Sequence, residues 1–596
     1  GYVLASGPAG GRWHVVLAGA DPTGTYYAAQ TLRQLVEEPA TSKRQRVLLP
    51  GGTVRDWPAH RSRGVIEGFY GPPWSDAERR DQLAFYADHK LDTYIYAPKN
   101  DPYHRERWRR PYPAGQLDRL AGLVREARRH HVEFVFAVSP GQSVCHSGDA
   151  DFRALTRKMR APYRVGVRRF ALFFDDIAAE LRCPQDRRRF GDDRSPPAAA
   201  QAYLLNRFTR EFLGERPDTG PLLTVPTEYS GVGASPYKRR FAELVGPGVE
   251  VFWTGREVVS PVIPDAGAGA ARRVFRHPLL VWDNYPVNDF QTDRLHLGPL
   301  VGRGDDLPGS GVRGFIANPM IQAAPSKLGL ATVADYAWNP GAYDPERSYE
   351  AALQELGGPA YQALRTFAEN NRSSRLHGEE SPELTPRIAA FREAYGHGAP
   401  QRAAPDLESA FDDLAAAPET IREDMGAPLF VKAAAPWLDK ARRYGVAGRA
   451  AVRSLTAESR GDHTAAWRQR VEMHRETRAA RDIPVTVGAG VIDPFLDWAR
   501  EHSRVVTLDA PGQPVEAGQK VSLRARVRSG DVGVREVRWY ADGKRVAERR
   551  EPPYRAVWRD VPRGRSELVV EVTDETGATV RSDPVTLRAG RPDRDR

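Results

Sequence analysis

The chain has 596 residues, of which 41% are hydrophobic and 28% are charged, with 12 Trp, 22 Tyr and 21 Phe. This composition can build several cores, which excludes a wholly disordered chain, and the length predicts about four domains. No run of roughly 18 or more apolar residues occurs, so no membrane-spanning helix is predicted. Two Cys exclude a disulfide-rich scaffold and a Cys-rich zinc array.

The net charge is +10, and Arg supplies all but ten of the 87 basic residues. A nucleic-acid-binding protein concentrates such residues on one face or in one tail. Here Arg is spread along the chain and interleaved with Asp and Glu. The pattern indicates a solvated surface, and we predict no nucleic-acid partner.

Residues 1–57 are predicted to form a small α/β domain. Residues 15–17 have the composition of a short strand, and residues 25–36 have the spacing of an amphipathic helix. One helix and a few strands make a weak core, so we expect this domain to rest on the next one, and missing upstream strands stay open. The chain starts at Gly1 with no Met and no apolar leader, which leaves both a removed signal peptide and a trimmed chain open.

Residues 58–340 are predicted to form a closed (β/α)8 barrel. Eight short apolar runs recur, separated by segments of helical spacing such as 75–90 and 114–131. The runs are continuously apolar, as in strands buried on both faces. Eight β-then-α units over about 275 residues fit a barrel, and a doubly wound open sheet is the alternative. The predicted strands are 64–70, 93–99, 133–141, 169–177, 222–229, 249–255, 279–285 and 314–319.

Residues 341–502 are predicted to form an all-helical domain, because this stretch is rich in Ala, Leu, Glu and Arg. Asp344 would cap its first helix, which would begin at Pro345. Residues 436–455 and 467–482 have the apolar spacing of two further helices.

Residues 503–590 are predicted to form an immunoglobulin-like β-sandwich. The hydrophobic period becomes two, and an Asp-Gly pair at 542–543 marks a tight turn between two strands. The tail, residues 591–596, is predicted to be disordered.

Polar or unusual residues lie at the carboxyl ends of most predicted barrel strands. In a barrel these ends meet at one rim, where the active sites of this fold lie. We therefore predict a pocket there that binds a hydroxyl-rich molecule. The residues are Gly68, Lys99, Asp175, Asp176, Tyr229, Trp253, Thr254, Asp283, Asn284 and Asn318.

The sharpest signal is the pair Asp175 and Asp176, which follows the apolar run 172–174. Ionised carboxylates are rarely buried without a partner, so two acids at the end of an apolar strand need a reason. One structural reason is a cap on a helix beginning near Ala178. Because neighbouring carboxylates repel, we expect one pKa to be raised and the other lowered, which gives an acid and an anion.

Two adjacent acids on one strand end favour a particular form of glycoside hydrolysis. In the ordinary mechanism two carboxyl groups about 5–9.5 Å apart flank the scissile bond, which neighbours on one strand cannot easily do. In a substrate-assisted reaction the 2-acetamido oxygen of the sugar attacks the anomeric carbon instead. Glu228 stays as an alternative nucleophile for the ordinary mechanism.

Seven motifs follow one another along the barrel segment: RGVIEGFYGPPWS (63–75), YIYAPKNDPYHRERWR (94–109), FFDDI (173–177), VPTEYSG (225–231), VFWTG (251–255), VWDNYPVND (281–289) and ANP (317–319). Together they resemble glycoside hydrolase family 84, whose members are β-N-acetylglucosaminidases. The resemblance implies a retaining exo-enzyme that removes terminal β-linked N-acetylglucosamine, including O-GlcNAc-type linkages, from a glycan or glycoprotein. It also implies an N-terminal domain of the hexosaminidase type. A catalytically silent sugar-binding protein and a two-carboxylate glycosidase are the alternatives.

The resemblance implies roles for the residues around the acetamido group. Asp175 would hold and polarise this group, and Asp176 would be the general acid and then the general base. Tyr229 and Asn284 would hydrogen-bond the acetamido group, with Trp282 as an apolar wall.

The resemblance also implies residues that hold the sugar hydroxyls. Asp289 would bind the 4- and 6-hydroxyls, and Gly68, Lys99 and Asn318 would complete the contacts. Structural explanations stay open for two of them. Gly68 can be needed where the main chain passes close to other atoms, and Lys99 can be an exposed charge at the end of a strand. Trp253 can belong to the core as readily as to a stacking surface.

No metal site is predicted, because His104, His130, His131 and His146 lack the spacing of metal ligands, and no cofactor is expected. Cys145 and Cys183 follow the third and fourth predicted strands on neighbouring loops.

In a secreted enzyme the two Cys would form a disulfide, and in a reducing compartment they would stay free. We predict the bridge and a secreted or cell-surface location, with a cytoplasmic location left open. The natural glycan and the oligomeric state are also left open.

Overall fold

The computed structural model describes residues 1–36, 49–512 and 514–590, so the predicted disordered tail lies outside the described residues. The chain divides into two compact units. The first contains residues 1–356, 373–378 and 428–433, and the second contains the other described residues. Within the described ranges, no helix has the length and apolar character needed to cross a membrane.

The first unit begins with an antiparallel sheet of strand order β2-β1-β3, made of β1 (Tyr2–Ala9), β2 (Arg12–Gly19) and β3 (Gly52–Asp56). Helix α1 (Pro22–Leu35) packs on it and is capped by the Asp21 carboxylate, which accepts the Gly24 N–H at 2.6 Å. The small core of this domain includes Trp338 from the last barrel helix. The domain therefore packs on the barrel, as we expected from the small size of its core.

The eight predicted barrel strands are all present, and they close into one parallel barrel in which β11 pairs with β4. The open-sheet alternative is therefore wrong. Most predicted segments extend past the observed carboxyl ends, because the polar residues counted with them lie in the loops that follow. The strands are β4 (Ser62–Glu67), β5 (Thr93–Tyr96), β6 (Glu133–Val138), β7 (Arg169–Phe173), β8 (Leu223–Val225), β9 (Glu250–Trp253), β10 (Leu279–Asp283) and β11 (Val312–Ala317).

Helices follow seven of the eight strands around the outside of the barrel. Residues 284–311, between β10 and β11, contain no helix, so one of the eight predicted β-then-α units lacks its helix. The first has a capping box, in which the Ser75 hydroxyl accepts the Glu78 N–H and the Glu78 carboxylate accepts the Ser75 N–H. The helices are α2 (Asp76–Asp88), α3 (Ala114–Arg129), α4 (Asp149–Arg164), α5 (Pro184–Phe190), α6 (Pro196–Phe208), α7 (Pro236–Leu244), α8 (Asp265–Phe275) and α9 (Ala323–Trp338).

The next stretch is helical, as predicted. Its first helix begins at Pro345, and the Asp344 carboxylate accepts the Arg347 N–H at 3.0 Å. The helices are α10 (Pro345–Gly357), α11 (Tyr361–Glu369), α12 (Leu384–Gly396), α13 (Ala404–Asp424), α14 (Pro428–Ser459), α15 (His463–Arg481) and α16 (Ile492–His502).

Two packed sheets form the immunoglobulin-like module. One has the order β12-β14-β17, and the other has the order β13-β20-β18-β15-β16 with β19 paired to β18. Asp542 (φ 49°) and Gly543 (φ 75°) form the predicted turn between β15 and β16. The strands are β12 (Val506–Asp509), β13 (Val515–Glu516), β14 (Val521–Val527), β15 (Val534–Ala541), β16 (Lys544–Arg549), β17 (Arg555–Trp558), β18 (Gly564–Asp574), β19 (Thr579–Arg581) and β20 (Val585–Gly590).

Candidate active site

A cavity of about 380 Å³ lies at the carboxyl ends of the barrel strands. Its volume falls in the range of small-molecule sites, and its position is the one at which this fold binds substrates. The structure brings all nine predicted catalytic and sugar-binding residues to its wall. They are Gly68, Lys99, Asp175, Asp176, Tyr229, Trp282, Asn284, Asp289 and Asn318.

The two acids reach one cavity because the chain turns sharply at the second of them. Adjacent residues of an extended strand point to opposite faces. Strand β7 ends at Phe173, and Asp176 adopts the left-handed conformation with φ 53°, so that both acids line the cavity. The helix-cap explanation is wrong, because no helix begins near Ala178 and the next one starts at Pro184.

Asp175 lines the cavity and has one oxygen without a hydrogen-bond partner among the described residues. Its side chain is buried, and the Lys99 ammonium pairs with Oδ2. The oxygen without such a partner is Oδ1, which is also buried. A buried acceptor without a donor is costly, so this oxygen is suited to an N–H or O–H brought by a ligand. Lys99 therefore holds an acid, whereas the sequence predicted a contact with sugar hydroxyls.

Asp176 is held by two phenols. Tyr229 donates to Oδ1 and Tyr70 donates to Oδ2, both at 2.8 Å. Burial raises the pKa of Asp176, but the Lys99 charge and the two hydrogen bonds outweigh burial and keep this pKa below its usual value. Burial also raises the pKa of each phenol, so both stay protonated as donors.

A second part of the cavity wall is built around Asn284. Its Oδ1 accepts hydrogen bonds from Trp282 Nε1 and from Asn318 Nδ2, both at 2.9 Å. Its Nδ2 donates to the Val258 carbonyl at 2.7 Å, which uses one of its two N–H groups. The Gly68 N–H donates to Asn318 Oδ1 at 3.3 Å. This network fixes the orientation of the Asn284 amide.

Gly68 is required by the close approach of Trp282. A Cβ atom at Gly68 would lie 2.5 Å from Trp282 Cζ2, which is too close for any side chain. Trp282 lines the cavity and also packs in the barrel interior. Trp253 is fully buried, does not line the cavity and donates to the Gly231 carbonyl at 3.0 Å, so it belongs to the core.

Asp289 also lines the cavity and is partly buried. Its Oδ2 accepts the Tyr70 N–H at 2.8 Å. Burial is the main influence on this carboxyl and raises its pKa. Because Tyr70 contacts Asp289 through its main chain and Asp176 through its hydroxyl, it links two of the predicted residues.

Sequence reasoning missed several residues of the site. Tyr70, Val258 and Phe290 line the cavity, and Arg105 lies behind the wall, where it donates to the Tyr70 hydroxyl at 2.8 Å. Tyr70 and Arg105 both fall within the motifs quoted above, but nothing in their spacing indicated that their loops meet.

Glu228 is not among the residues that line the cavity. Its carboxylate accepts the hydroxyl of Ser235, the residue before helix α7, at 2.5 Å. The structure therefore gives no support to Glu228 as the nucleophile of an ordinary two-carboxylate mechanism.

Cys145 and Cys183 form a disulfide with a Cα–Cα distance of 5.2 Å. It joins the loop after β6 to the loop after β7, which carries the acid pair. Asp186 lies beside the two sulfur atoms. In the described part of the chain, these three residues are the one group whose ligand atoms lie close enough together to hold a metal ion. The two sulfur atoms are bonded to each other, so they are not available as thiolate ligands.

Comparison with known proteins identifies the family. Residues 63–369, slightly more than half of the chain, match the beta-N-acetylglucosaminidase family model. The chain belongs to this family, glycoside hydrolase family 84. Residues 1–57 match domain 2 of glycosyl hydrolase family 20, residues 383–496 match a hyaluronidase post-catalytic domain-like model, and residues 505–570 match a bacterial Ig domain.

Individual relatives agree with this assignment. Protein O-GlcNAcase of Rattus norvegicus is 36% identical over 279 residues, which are 46% of this chain and 29% of the relative, and the Mus musculus protein matches equally. The chain thus spans less than a third of the length of these curated relatives.

Two solved structures match over most of their length. The structure of CpGH84B has a TM-score of 0.73 and 34% identity, covering 84% of this chain and 85% of that chain. A mutant of the Thermobaculum terrenum O-GlcNAc hydrolase has a TM-score of 0.68 and 30% identity, covering 74% of this chain and 95% of that chain.

Proposed function

We propose that this chain is a retaining exo-β-N-acetylglucosaminidase that uses substrate-assisted catalysis. The observation that carries the proposal is the unequal environment of the two acids. Asp175 offers an unpaired buried oxygen, while Asp176 is held by two phenolic donors. A 2-acetamido group brings the N–H that the Asp175 oxygen lacks, and a sugar with a plain 2-hydroxyl brings no amide.

In the first step, Asp175 Oδ1 accepts a hydrogen bond from the acetamido N–H. This contact increases the negative charge on the amide oxygen, which attacks the anomeric carbon and forms a C–O bond. The glycosidic C–O bond breaks, and Asp176 transfers its proton to the leaving oxygen. The products are a cyclic oxazolinium ion, with its N–H paired to Asp175, and a neutral alcohol.

In the second step, water attacks the anomeric carbon from the face that the alcohol left. Asp176, now a carboxylate, takes a proton from this water, and the bond to the amide oxygen breaks. Two inversions at the anomeric carbon return the β configuration. The lowered pKa of Asp176 suits its part as the base in this step. A bound sugar displaces water from around Asp176, and this loss of solvation raises its pKa toward the acid form that the first step needs.

We propose that the part of the wall around Asn284 holds the sugar ring. The second N–H of Asn284, which is not used by Val258, donates to the acetamido group, and Trp282 supplies the apolar wall beside it. Asp289 accepts the 4- and 6-hydroxyls. Asn318 and the Gly68 main chain brace Asn284, so their contribution to the hydroxyl contacts is smaller than the resemblance implied.

The proposed substrates carry terminal β-linked N-acetylglucosamine, including O-GlcNAc on protein. The names of the rat and mouse relatives, Protein O-GlcNAcase, and of the Thermobaculum terrenum O-GlcNAc hydrolase support this class. The cavity volume of about 380 Å³ lies near the lower end of ligand sites, which favours one terminal sugar over an extended chain.

We also propose a secreted or cell-surface location. The disulfide between Cys145 and Cys183 supports it, because such bonds persist in oxidising compartments. Thiol labelling of protein from the native host, before and after reduction, tests this proposal. Label taken up only after reduction supports export, and two free thiols in the native protein contradict it.

Hydrolysis of paired aryl glycosides tests the activity. We expect turnover of the aryl N-acetylglucosaminide and none of the aryl glucoside, with the β anomer as the first product in NMR spectra. Binding of the sugar without turnover would instead indicate a silent sugar-binding protein. Comparable hydrolysis of both glycosides would indicate an ordinary two-carboxylate mechanism.

A further inference from the structure

Arg105 approaches the acid pair from behind the cavity wall. It lies in the loop after β5, and the residue is only 7% exposed. Its Nη1 donates to the Tyr70 hydroxyl oxygen at 2.8 Å, and its Nη2 donates to the main-chain carbonyl of Asp176 at 3.3 Å. Among the described residues, no Asp or Glu forms an ion pair with it. A buried guanidinium without an anionic partner is costly, so its position needs a reason.

The contact with Arg105 fixes the direction of the Tyr70 hydroxyl. A guanidinium can only donate hydrogen bonds, so the Tyr70 oxygen must be the acceptor. The single O–H of Tyr70 is then available for one other group, and it is directed at Asp176 Oδ2, 2.8 Å away. Without Arg105, this hydroxyl could turn and accept a hydrogen bond from another group.

Arg105 also contacts the strained main chain of the acid. Asp176 has φ 53°, a conformation that is unfavourable for residues other than glycine and persists where the surroundings enforce it. The hydrogen bond from Arg105 Nη2 to the Asp176 carbonyl is such a constraint. One guanidinium thus contacts Asp176 directly at its main chain and, through Tyr70, at its carboxylate.

We propose that Arg105 is a positioning residue for the reaction proposed above, on which this inference rests: it directs the Tyr70 hydroxyl to Asp176 and keeps that acid in the cavity. Arg105 does not line the cavity and acts on the substrate only through these two residues.

The charge of Arg105 acts on Asp176 together with the other groups around this acid. Burial raises the pKa of Asp176, while Lys99, Tyr70, Tyr229 and Arg105 lower it. Lys99 is already paired with Asp175, whereas Arg105 has no carboxylate partner within the described ranges. The titratable and charged groups that face Asp176 are Tyr70, Lys99, Arg105, Asp175, Tyr229 and Asp289.

Removing Arg105 therefore takes away a positive charge and frees the Tyr70 hydroxyl, and both changes raise the pKa of Asp176. The acid form then persists to higher pH. For a substrate whose leaving group needs protonation, the alkaline limb of the pH profile moves upward. For an activated leaving group, which needs no acid, the limb stays where it is.

The test compares Arg105→Met, Tyr70→Phe and the double variant with the wild-type chain. The pH profile of kcat, which reports the protonation of groups in the enzyme–substrate complex, is measured with a poor and with an activated aryl leaving group. We expect Arg105→Met to move the alkaline limb for the poor leaving group upward by about one pH unit and to lower kcat by about tenfold. Tyr70→Phe should move it in the same direction. The double variant should move it by less than the sum of the two single shifts, because part of the effect of Arg105 acts through Tyr70.

Arg109→Met is the matched control. Arg109 lies on the same loop but pairs with Asp151 at 2.6 Å, away from the acid pair. We expect the alkaline limb of the Arg109→Met profile to lie at the same pH as that of the wild-type chain. The unfolding temperature of each variant is measured alongside, and if Arg105→Met does not fold, Arg105→Gln, which also removes the charge, takes its place.

The outcomes separate the two proposals. Wild-type turnover with an unshifted limb in the Arg105 variant would overturn this inference and leave the proposed function intact. An equal loss at every pH, with the limb unmoved, would indicate a merely structural role and would also overturn it. No turnover by the wild-type chain would overturn the proposed function and this inference together.

Discussion

Lys99 pairs with one oxygen of the Asp175 carboxylate, and the other oxygen of that carboxylate has no hydrogen-bond partner in the described part of the chain. The pair is buried, and the unpaired oxygen is suited to a hydrogen-bond donor brought by a ligand. Asp175 and Asp176 are neighbours, but their partners differ: a cation for one and two neutral donors for the other. This difference supports the proposed roles, in which Asp175 holds the acetamido group and Asp176 transfers the proton.

Asp175→Asn should lower kcat about 10²- to 10³-fold, because the amide oxygen of the substrate loses its charged orienting partner. The loss should be similar for poor and activated leaving groups, and larger in kcat than in KM. Steady-state kinetics with aryl N-acetylglucosaminides measures it. Glu228→Gln, whose carboxylate lies outside the cavity wall, is the control and should retain most of the wild-type rate. A comparable loss of kcat in Glu228→Gln would contradict the specific role of Asp175 in the reaction.

Asp176→Asn should affect poor leaving groups far more than activated ones. The asparagine cannot supply a proton, and general acid catalysis contributes about 10²- to 10⁴-fold. Rates for a series of aryl N-acetylglucosaminides of falling leaving-group pKa give the measurement. We expect a steeper dependence on the leaving group in the variant than in the wild-type chain. Equal slowing across the series would reject Asp176 as the acid.

The strands and the cavity residues could be predicted because the signals are local. Continuous apolar runs predicted the eight strands, and a polar or unusual residue at the end of most runs marked a position on the shared rim. The pairing of Lys99 with Asp175 could not be predicted, because it joins the ends of strands β5 and β7 and depends on side-chain direction. Arg105 was missed for a similar reason, since its contact with Asp176 requires two loops to meet at a residue with positive φ.

Gly68→Ala should weaken substrate binding. The added Cβ would lie 2.5 Å from Trp282, so the indole must move, and with it the hydrogen bond to Asn284. We expect KM for an aryl N-acetylglucosaminide to rise about tenfold, a cost of roughly 1.4 kcal/mol, with little loss of unfolding temperature. Gly115→Ala is the control, because a Cβ there has no atom within 4 Å. Unchanged KM in Gly68→Ala would show that the wall adapts without affecting the sugar.

Loss of the disulfide should lower both stability and activity. The bond between Cys145 and Cys183 closes a sequence separation of 38 residues and ties down the loop that carries the acid pair. We expect the double variant to Ser to lose about 2–4 kcal/mol of stability and part of its kcat. The unfolding temperature with and without reductant measures the stability effect. Since the chain has two Cys, reductant should shift the wild-type chain and leave the double variant unchanged. A shift in both would contradict the assignment.

Asp186 joins the same two loops through hydrogen bonds, and its contribution should depend on pH. It accepts the main-chain N–H groups of His146 and Ser147 at 2.7 and 2.8 Å, as well as the Ser147 hydroxyl. Burial raises the pKa of Asp186, but the hydrogen bonds from His146 and Ser147 outweigh it and hold this pKa below its ordinary value. A carboxyl with a lowered pKa in the folded state stabilises the fold above its unfolded pKa. That stability is lost as the pH falls through the folded pKa.

Asp186→Asn should therefore destabilise the chain by about 1–3 kcal/mol at pH 7, and the difference from wild type should shrink as the pH falls from about 5 to about 3. Thermal unfolding of both proteins across this range measures the change. Asp192→Asn, at an exposed position nearby, should follow the wild-type curve at every pH. If the curves of Asp186→Asn and wild type ran parallel down to pH 3, the Asp186 carboxylate could not be the group whose charge holds these loops together.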